Sequence, residues 1–131
     1  MNRSQDAGSV MSKVLIVDDS PAQRYSLCQI VEGGGHQAVT AESGEQALKI
    51  ASNEHPEVIL MDIVMPGMSG YQAKRKLSRE AATRHIPVIF VSTKDGEADR
   101  AWGMRQGACE YVTKPVNPHV LLTAISEAMA A

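Results

Sequence analysis

Val14-Leu15-Ile16-Val17-Asp18-Asp19 sets four apolar residues directly before two carboxylates. A short apolar run of this kind reads as a strand buried on both faces of a parallel sheet. Two later stretches repeat the device: Val58-Ile59-Leu60-Met61 runs into Asp62, and Glu110-Tyr111-Val112-Thr113 runs into Lys114. In parallel sheets, sites form just beyond the carboxyl ends of the strands. Asp18, Asp19, Asp62 and Lys114 are therefore expected to converge on one pocket. Carboxylate oxygens suit a hard divalent cation such as magnesium, and an ammonium suits a phosphate.

Working outward, Ser20-Pro21 reads as the N-cap and first turn of a helix that carries Leu27, Ile30 and Val31. Gly33-Gly34-Gly35 ends that helix. The triplet follows a helix rather than a strand and lacks the GxxxxGK[ST] and GxGxxG patterns, so it is no phosphate loop. Gln37 to Ala41 reads as a weakly apolar edge strand. Ser43 with Gln46 suggests a capping box before Ala47, Leu48, Ile50 and Ala51, and His55-Pro56 closes that second helix. Met65-Pro66-Gly67-Met68 is a turn, and Ser69 with Gln72 caps a third helix through Tyr71 and Leu77.

Pro87 opens a fourth strand, Val88 to Val91, which ends in Ser92-Thr93. Asp95 is expected to cap a fourth helix that reaches about Gln106 and stops at Gly107. After the strand Tyr111 to Thr113, Asn117-Pro118 starts a last helix with Val120, Leu121, Ala124, Ile125 and Ala128 on one face. Alternating strands and helices imply a parallel sheet covered by helices on both faces, with right-handed crossovers. The apolar first, third and fourth strands belong at its centre.

Composition narrows the class. The 131 residues suit one domain with its own core, at 44% hydrophobic and 21% charged residues. A net charge of -2 gives no reason to expect nucleic acid. No apolar stretch approaches the ~20 residues of a membrane span, and the first ten residues lack the apolar core of a secretory signal, so a cytoplasmic location is expected. Residues 1–12 read as a disordered leader and 13–131 as the folded domain. Cys28 and Cys109 have no metal-ligand spacing and are expected to be buried free thiols. The histidines at 36, 55, 85 and 119 read as surface residues, and Met65, Met68 and Met104 as gap fillers.

Taken in order, Val17-Asp18-Asp19-Ser20, Met61-Asp62-Ile63-Val64-Met65-Pro66, Gly70, Val91-Ser92-Thr93 and Tyr111-Val112-Thr113-Lys114-Pro115 resemble the receiver domains of two-component response regulators. The resemblance covers roughly residues 13–131. It implies a flavodoxin-like three-layer α/β sandwich, with a five-stranded parallel sheet in the order 2-1-3-4-5 and five helices.

It also implies roles. Asp62 would be the phosphoacceptor and become an acyl phosphate. Asp19 would bind magnesium directly and Asp18 mainly through water, with Asp62 and the Val64 backbone carbonyl completing the set. Lys114 would pair with the phosphate, and Ser92 would hydrogen-bond a phosphoryl oxygen, although Thr93 offers a hydroxyl next door. Tyr111 matches the family's switch aromatic, which turns inward when that hydroxyl moves; an ordinary half-buried edge tyrosine is the bland alternative. A cis peptide is expected at Lys114-Pro115. Trp102 is either core packing or part of a partner surface.

Thr93-Lys94-Asp95-Gly96, Ala101-Trp102-Gly103, Arg105-Gln106-Gly107-Ala108 and Tyr111 to Val116 further resemble stand-alone receivers of chemosensory systems controlling type IV pili and twitching motility. The chain is then expected to be a monomer or weak dimer. A histidine kinase would phosphorylate it, and a downstream motor or pilus protein would read it, with no nucleic acid or membrane contact. Flagellar chemotaxis and a phosphate-sink role remain as alternatives. A magnesium-dependent phosphatase of the haloacid dehalogenase type wants an acid/base aspartate two residues after the nucleophile, where this chain has Val64. A flavodoxin-like electron carrier wants a phosphate-cradling loop after the first strand, where this chain has acids.

Overall fold

The structure, a computed structural model, describes residues 12–131. The leader expected at the amino terminus lies almost wholly outside the described residues. Five strands form one sheet: β1 (Lys13–Val17), β2 (Gln37–Ala41), β3 (Val58–Met61), β4 (Val88–Ser92) and β5 (Glu110–Thr113). All pairings are parallel, and the order β2-β1-β3-β4-β5 is the expected one. The helices are α1 (Pro21–Gly33), α2 (Gly44–Glu54), α3 (Gly70–Arg79), α4 (Glu97–Arg105) and α5 (Pro118–Ala130).

Strand side chains alternate between two cores. Leu15, Val17, Ile59, Met61, Phe90 and Tyr111 face α2 and α3 with Ala47, Ala51, Ala73 and Leu77. Val14, Ile16, Leu60, Ile89 and Val112 face α1 and α5 with Leu27, Val31, Leu121 and Ile125. Burial on both sides explains why β1, β3 and β4 are almost uninterruptedly apolar.

The caps follow the sequence. Ser20, Ser43, Ser69 and Asn117 each accept a backbone N–H of their helix's first turn, and Ser69 with Gln72 completes a reciprocal box. Gln46 reaches back one residue further than expected, accepting from the Glu42 N–H at 2.6 Å. His55 ends α2 in the left-handed conformation, φ 50°.

Four expectations need correction. Asp95 does not cap α4: Gly96 occupies the N-cap without any side-chain bond, and Glu97 and Asp99 complement the helix dipole from the first turn instead. Val120 points to solvent at 51% exposure, because the buried stripe of α5 runs Leu121, Ala124, Ile125, Ala128, about one helical step away. Cys109 is exposed and Cys28 half-buried; Cys109 sits in the turn that leads into β5. Met104 is exposed on α4, whereas Met65 is buried and Met68 packs against the core.

One helix is anchored differently from the rest. Gly103 is the only residue of α4 that is buried. Each of the other four helices buries at least two residues.

Candidate functional site

The parallel register delivers the acids. Val17 and Met61 are partners across β1 and β3, so the residues that follow them leave the sheet side by side. The Asp62 N–H donates to the Val17 carbonyl at 2.9 Å, which carries the pairing one step beyond the strands. Carboxylate oxygens of Asp18, Asp19 and Asp62 all lie within 4.8 Å of one another. Asp18 is buried, Asp62 is 9% exposed, and Asp19 opens to solvent.

The amine arrives in the same way from β5. Ser92 and Thr113 are partners, and the Lys114 N–H donates to the Ser92 carbonyl at 2.8 Å. Lys114 Nζ reaches Asp18 Oδ2 at 2.7 Å and Asp62 Oδ1 at 3.6 Å. Lys114-Pro115 is cis, as expected. Ser92 is buried and its hydroxyl accepts the Lys94 N–H at 3.2 Å, whereas Thr93 faces solvent.

Burial pushes the Asp62 carboxyl above the ordinary carboxylate range. Lys114 opposes that shift, Asp18 and Asp19 add to it by repulsion, and the Ile63 N–H, 2.9 Å from Oδ1, lowers it. The strongly acidic cluster thus carries an internal cost that a cation would relieve. Three hard oxygen donors within reach of one point fit a magnesium ion in kind and spacing. Val64 turns its side chain to solvent at 60% exposure, so only its backbone is available to the site. Gly70 fits because α3 starts against the site: an added Cβ would run into the Asp62 carbonyl oxygen.

Tyr111 is buried at 2% exposure, which rules out the half-buried reading. Its hydroxyl donates to the Lys94 carbonyl at 2.7 Å. The ring lies against the backbone of α4, where a Cβ on Gly103 would stand 2.7 Å from Tyr111 Cδ2. Burial raises the phenol's pKa, with the Ser92 hydroxyl as the largest opposing influence. Trp102, next to Gly103, is 45% exposed and meets Tyr71 edge-on at 6.4 Å, so it belongs to the surface of α4 rather than the core.

Sequence reasoning missed two residues here. Arg24 of α1 donates to the Asp18 carbonyl at 2.7 Å and braces the acidic turn. Arg100 of α4 donates to the Tyr111 carbonyl at 2.8 Å and places its guanidinium 5.3 Å from the centre of that ring. Neither sits at a strand end, and an arginine on a polar helix face carries no signal of what it will touch.

A sheet in this order, with an acid triad and a lysine at its carboxyl edge, is the architecture of a receiver. The chain belongs to the response regulator receiver domain family, whose sequence profile matches residues 14–126. It is 51% identical over 120 residues to Protein PilH of Pseudomonas aeruginosa, covering 92% of this chain and 99% of that protein. It is also 37% identical to the phosphate regulon transcriptional regulatory protein PhoB of Escherichia coli, covering 89% of this chain and 51% of PhoB. It likewise covers 25% of response regulator PleD of Caulobacter vibrioides, at 36% identity. Among solved structures, chemotaxis protein CheY4 of Vibrio cholerae superposes with a TM-score of 0.84 at 28% identity, covering 91% of this chain and 99% of that one. No described helix is long and apolar enough to cross a membrane.

Proposed function

We propose that this receiver accepts a phosphoryl group from a histidine kinase on Asp62 and signals by changed protein contact, in a chemosensory pathway that controls type IV pili. The observation that carries the reading is the meeting of Asp18, Asp19 and Asp62 with Lys114 at one edge of the sheet. Likeness to PilH over almost its full length supports the pathway, and favours it over flagellar chemotaxis.

In the reaction, the free Asp62 oxygen attacks phosphorus. The P–N bond to the kinase's histidine breaks as the P–O bond forms, and the electron pair leaves with the imidazole. Lys114 is placed to transfer its charge from Asp18 toward the new phosphoryl oxygens. Magnesium held by Asp18, Asp19, Asp62 and the Val64 carbonyl would supply the charge that offsets repulsion between these acids and the incoming group. Ser92 is placed to donate its hydroxyl to a phosphoryl oxygen, releasing the Lys94 N–H it now accepts. That movement bears on Tyr111, because the Lys94 carbonyl is the acceptor of the Tyr111 hydroxyl.

Its chemistry is confined to its own aspartate: Val64 offers no acid or base for turnover of a separate substrate. The test is phosphotransfer from a purified histidine kinase, or from acetyl phosphate, with magnesium. The wild-type chain should gain one hydroxylamine-sensitive label and Asp62→Asn none. Labelling of Asp62→Asn at the wild-type rate would overturn the assignment. Tight binding of the phosphorylated form to a motor component would mark an effector, and rapid labelling and hydrolysis without such binding a phosphate sink.

A further inference from the structure

The site of phosphorylation leaves another charged surface unexplained. Helix α3 reads Gly70-Tyr71-Gln72-Ala73-Lys74-Arg75-Lys76-Leu77-Ser78-Arg79, four cations and no acid, in a chain of net charge -2. Lys76 and Arg79 line two adjoining hollows between α2 and α3, of about 600 and 380 Å³. These two shared residues put the hollows side by side along α3, and together they make one basic trough. Lys49 of α2 lines it from the other side, and Arg75 lines its upper part. Two carboxylates also line it, Glu45 of α2 and Glu80 after α3, against the four cations Lys49, Arg75, Lys76 and Arg79. Among the described residues, none of Lys49, Arg75, Lys76 and Arg79 is in an ion pair.

We infer that this trough is a docking surface for an acidic, helical segment of a partner protein. Charge complementarity sets the sign of the occupant. Its place between two helices sets the class. Leu48 and Met68, both half-buried, line it beside the cations, which suits a helix that places carboxylates beside apolar residues. A membrane surface is disfavoured, since the large exposed hydrophobics are Tyr25, Val64, Trp102, Met104 and Val120, none of which lines the trough. Nucleic acid is disfavoured because the trough contains no aromatic side chain to stack on bases, and a long polyanion would also meet the excess negative charge elsewhere on the chain. Arg79 adds directional, paired donors for carboxylates, while Arg75 already donates to Gln106 at 3.0 Å.

The test uses a labelled helical peptide with glutamates on one face interleaved with leucines, and the same peptide with glutamine for glutamate. Binding to the full chain is followed by fluorescence anisotropy, and the site by amide shifts in two-dimensional NMR. The glutamate peptide should bind, move the amides of Leu48 to Asn53 and Lys76 to Thr83, and weaken with salt. The glutamine peptide should bind about tenfold more weakly or not at all. Lys76→Glu and Arg79→Glu together should weaken the glutamate peptide at least about tenfold, whereas Arg105→Glu on α4 should change it little. These side chains are surface residues, and unchanged far-ultraviolet dichroism checks that the variants fold. Equal loss with Arg105→Glu, shifts located elsewhere, or no binding of the glutamate peptide would each overturn the inference. So would tighter binding to phosphatidylglycerol vesicles or duplex DNA than to the peptide.

Discussion

Lys114 stands closer to Asp18 than to Asp62, 2.7 Å against 3.6 Å, with the Asp18 side chain buried and that of Lys114 9% exposed. One ammonium therefore neutralises two acids in a cluster of three. Removing one partner of a buried pair leaves the other charge uncompensated. Lys114→Ala is expected to destabilise the fold by about 3 kcal/mol in urea unfolding. Adding Asp18→Asn to Lys114→Ala should recover part of that loss. A double variant as unstable as the sum of the single changes would show that the pair carries no coupling.

Asp62 leads to a prediction about pH. Burial raises its pKa in the folded chain, so the folded protein holds this proton more tightly than the unfolded chain does. The ionised carboxylate is then a cost above the folded-state pKa, and the cost is relieved as pH falls through it. Asp62→Asn should accordingly raise the melting temperature by a few degrees at neutral pH without magnesium, with the gain shrinking toward the carboxylate range. A melting curve showing loss of stability at neutral pH would contradict the balance of burial and repulsion described above.

Magnesium should stabilise the wild-type chain. At ten times its dissociation constant the gain is about 1.4 kcal/mol, read as a rise in melting temperature that chelation reverses. Asp19→Ala removes the solvent-facing carboxylate of the triad and should abolish most of that rise while leaving metal-free stability nearly unchanged. An undiminished rise in Asp19→Ala would remove Asp19 from the metal set.

Gly103 and Tyr111 should be energetically coupled. An alanine methyl at Gly103 would lie 2.7 Å from one carbon of the tyrosine ring and 3.3 Å from Phe90, too close for either to stay in place. Gly103→Ala is expected to cost about 1–3 kcal/mol and to alter the emission of the adjacent Trp102. In a Tyr111→Ala background the ring is gone and the same substitution should cost markedly less. Equal costs in the two backgrounds would show that the inward tyrosine does not rest on this glycine.

The topology was legible because every central strand is buried on both faces. That writes each strand as an apolar run, and the polar residue ending the run marks the sheet's carboxyl edge. Asp18, Asp62 and Lys114 could therefore be placed on one edge before any contact was known. Helix ends were legible wherever a serine or asparagine cap left its local mark. They failed at Asp95, whose side chain is as good a cap as any but whose helix starts one residue later than that, with Gly96 in the N-cap place and Glu97 first. Val120 failed for a similar reason: apolar character alone does not fix the phase of a helix, and its neighbour Leu121 takes the buried place.

By itself, the amino-acid sequence determined the order of elements, the family and the residues that assemble at the strand ends, since all of these follow from local patterns of apolarity and charge. Only the tertiary structure decided how those residues share their charges: Lys114 turned first to Asp18, Arg24 braced on the Asp18 carbonyl, Tyr111 seated inward beneath Arg100 against Gly103. It alone also gathered Lys49 with Lys76 and Arg79 along one trough. Such relations link residues distant in the chain through side-chain reach and packing, and neither quantity is written in a local pattern.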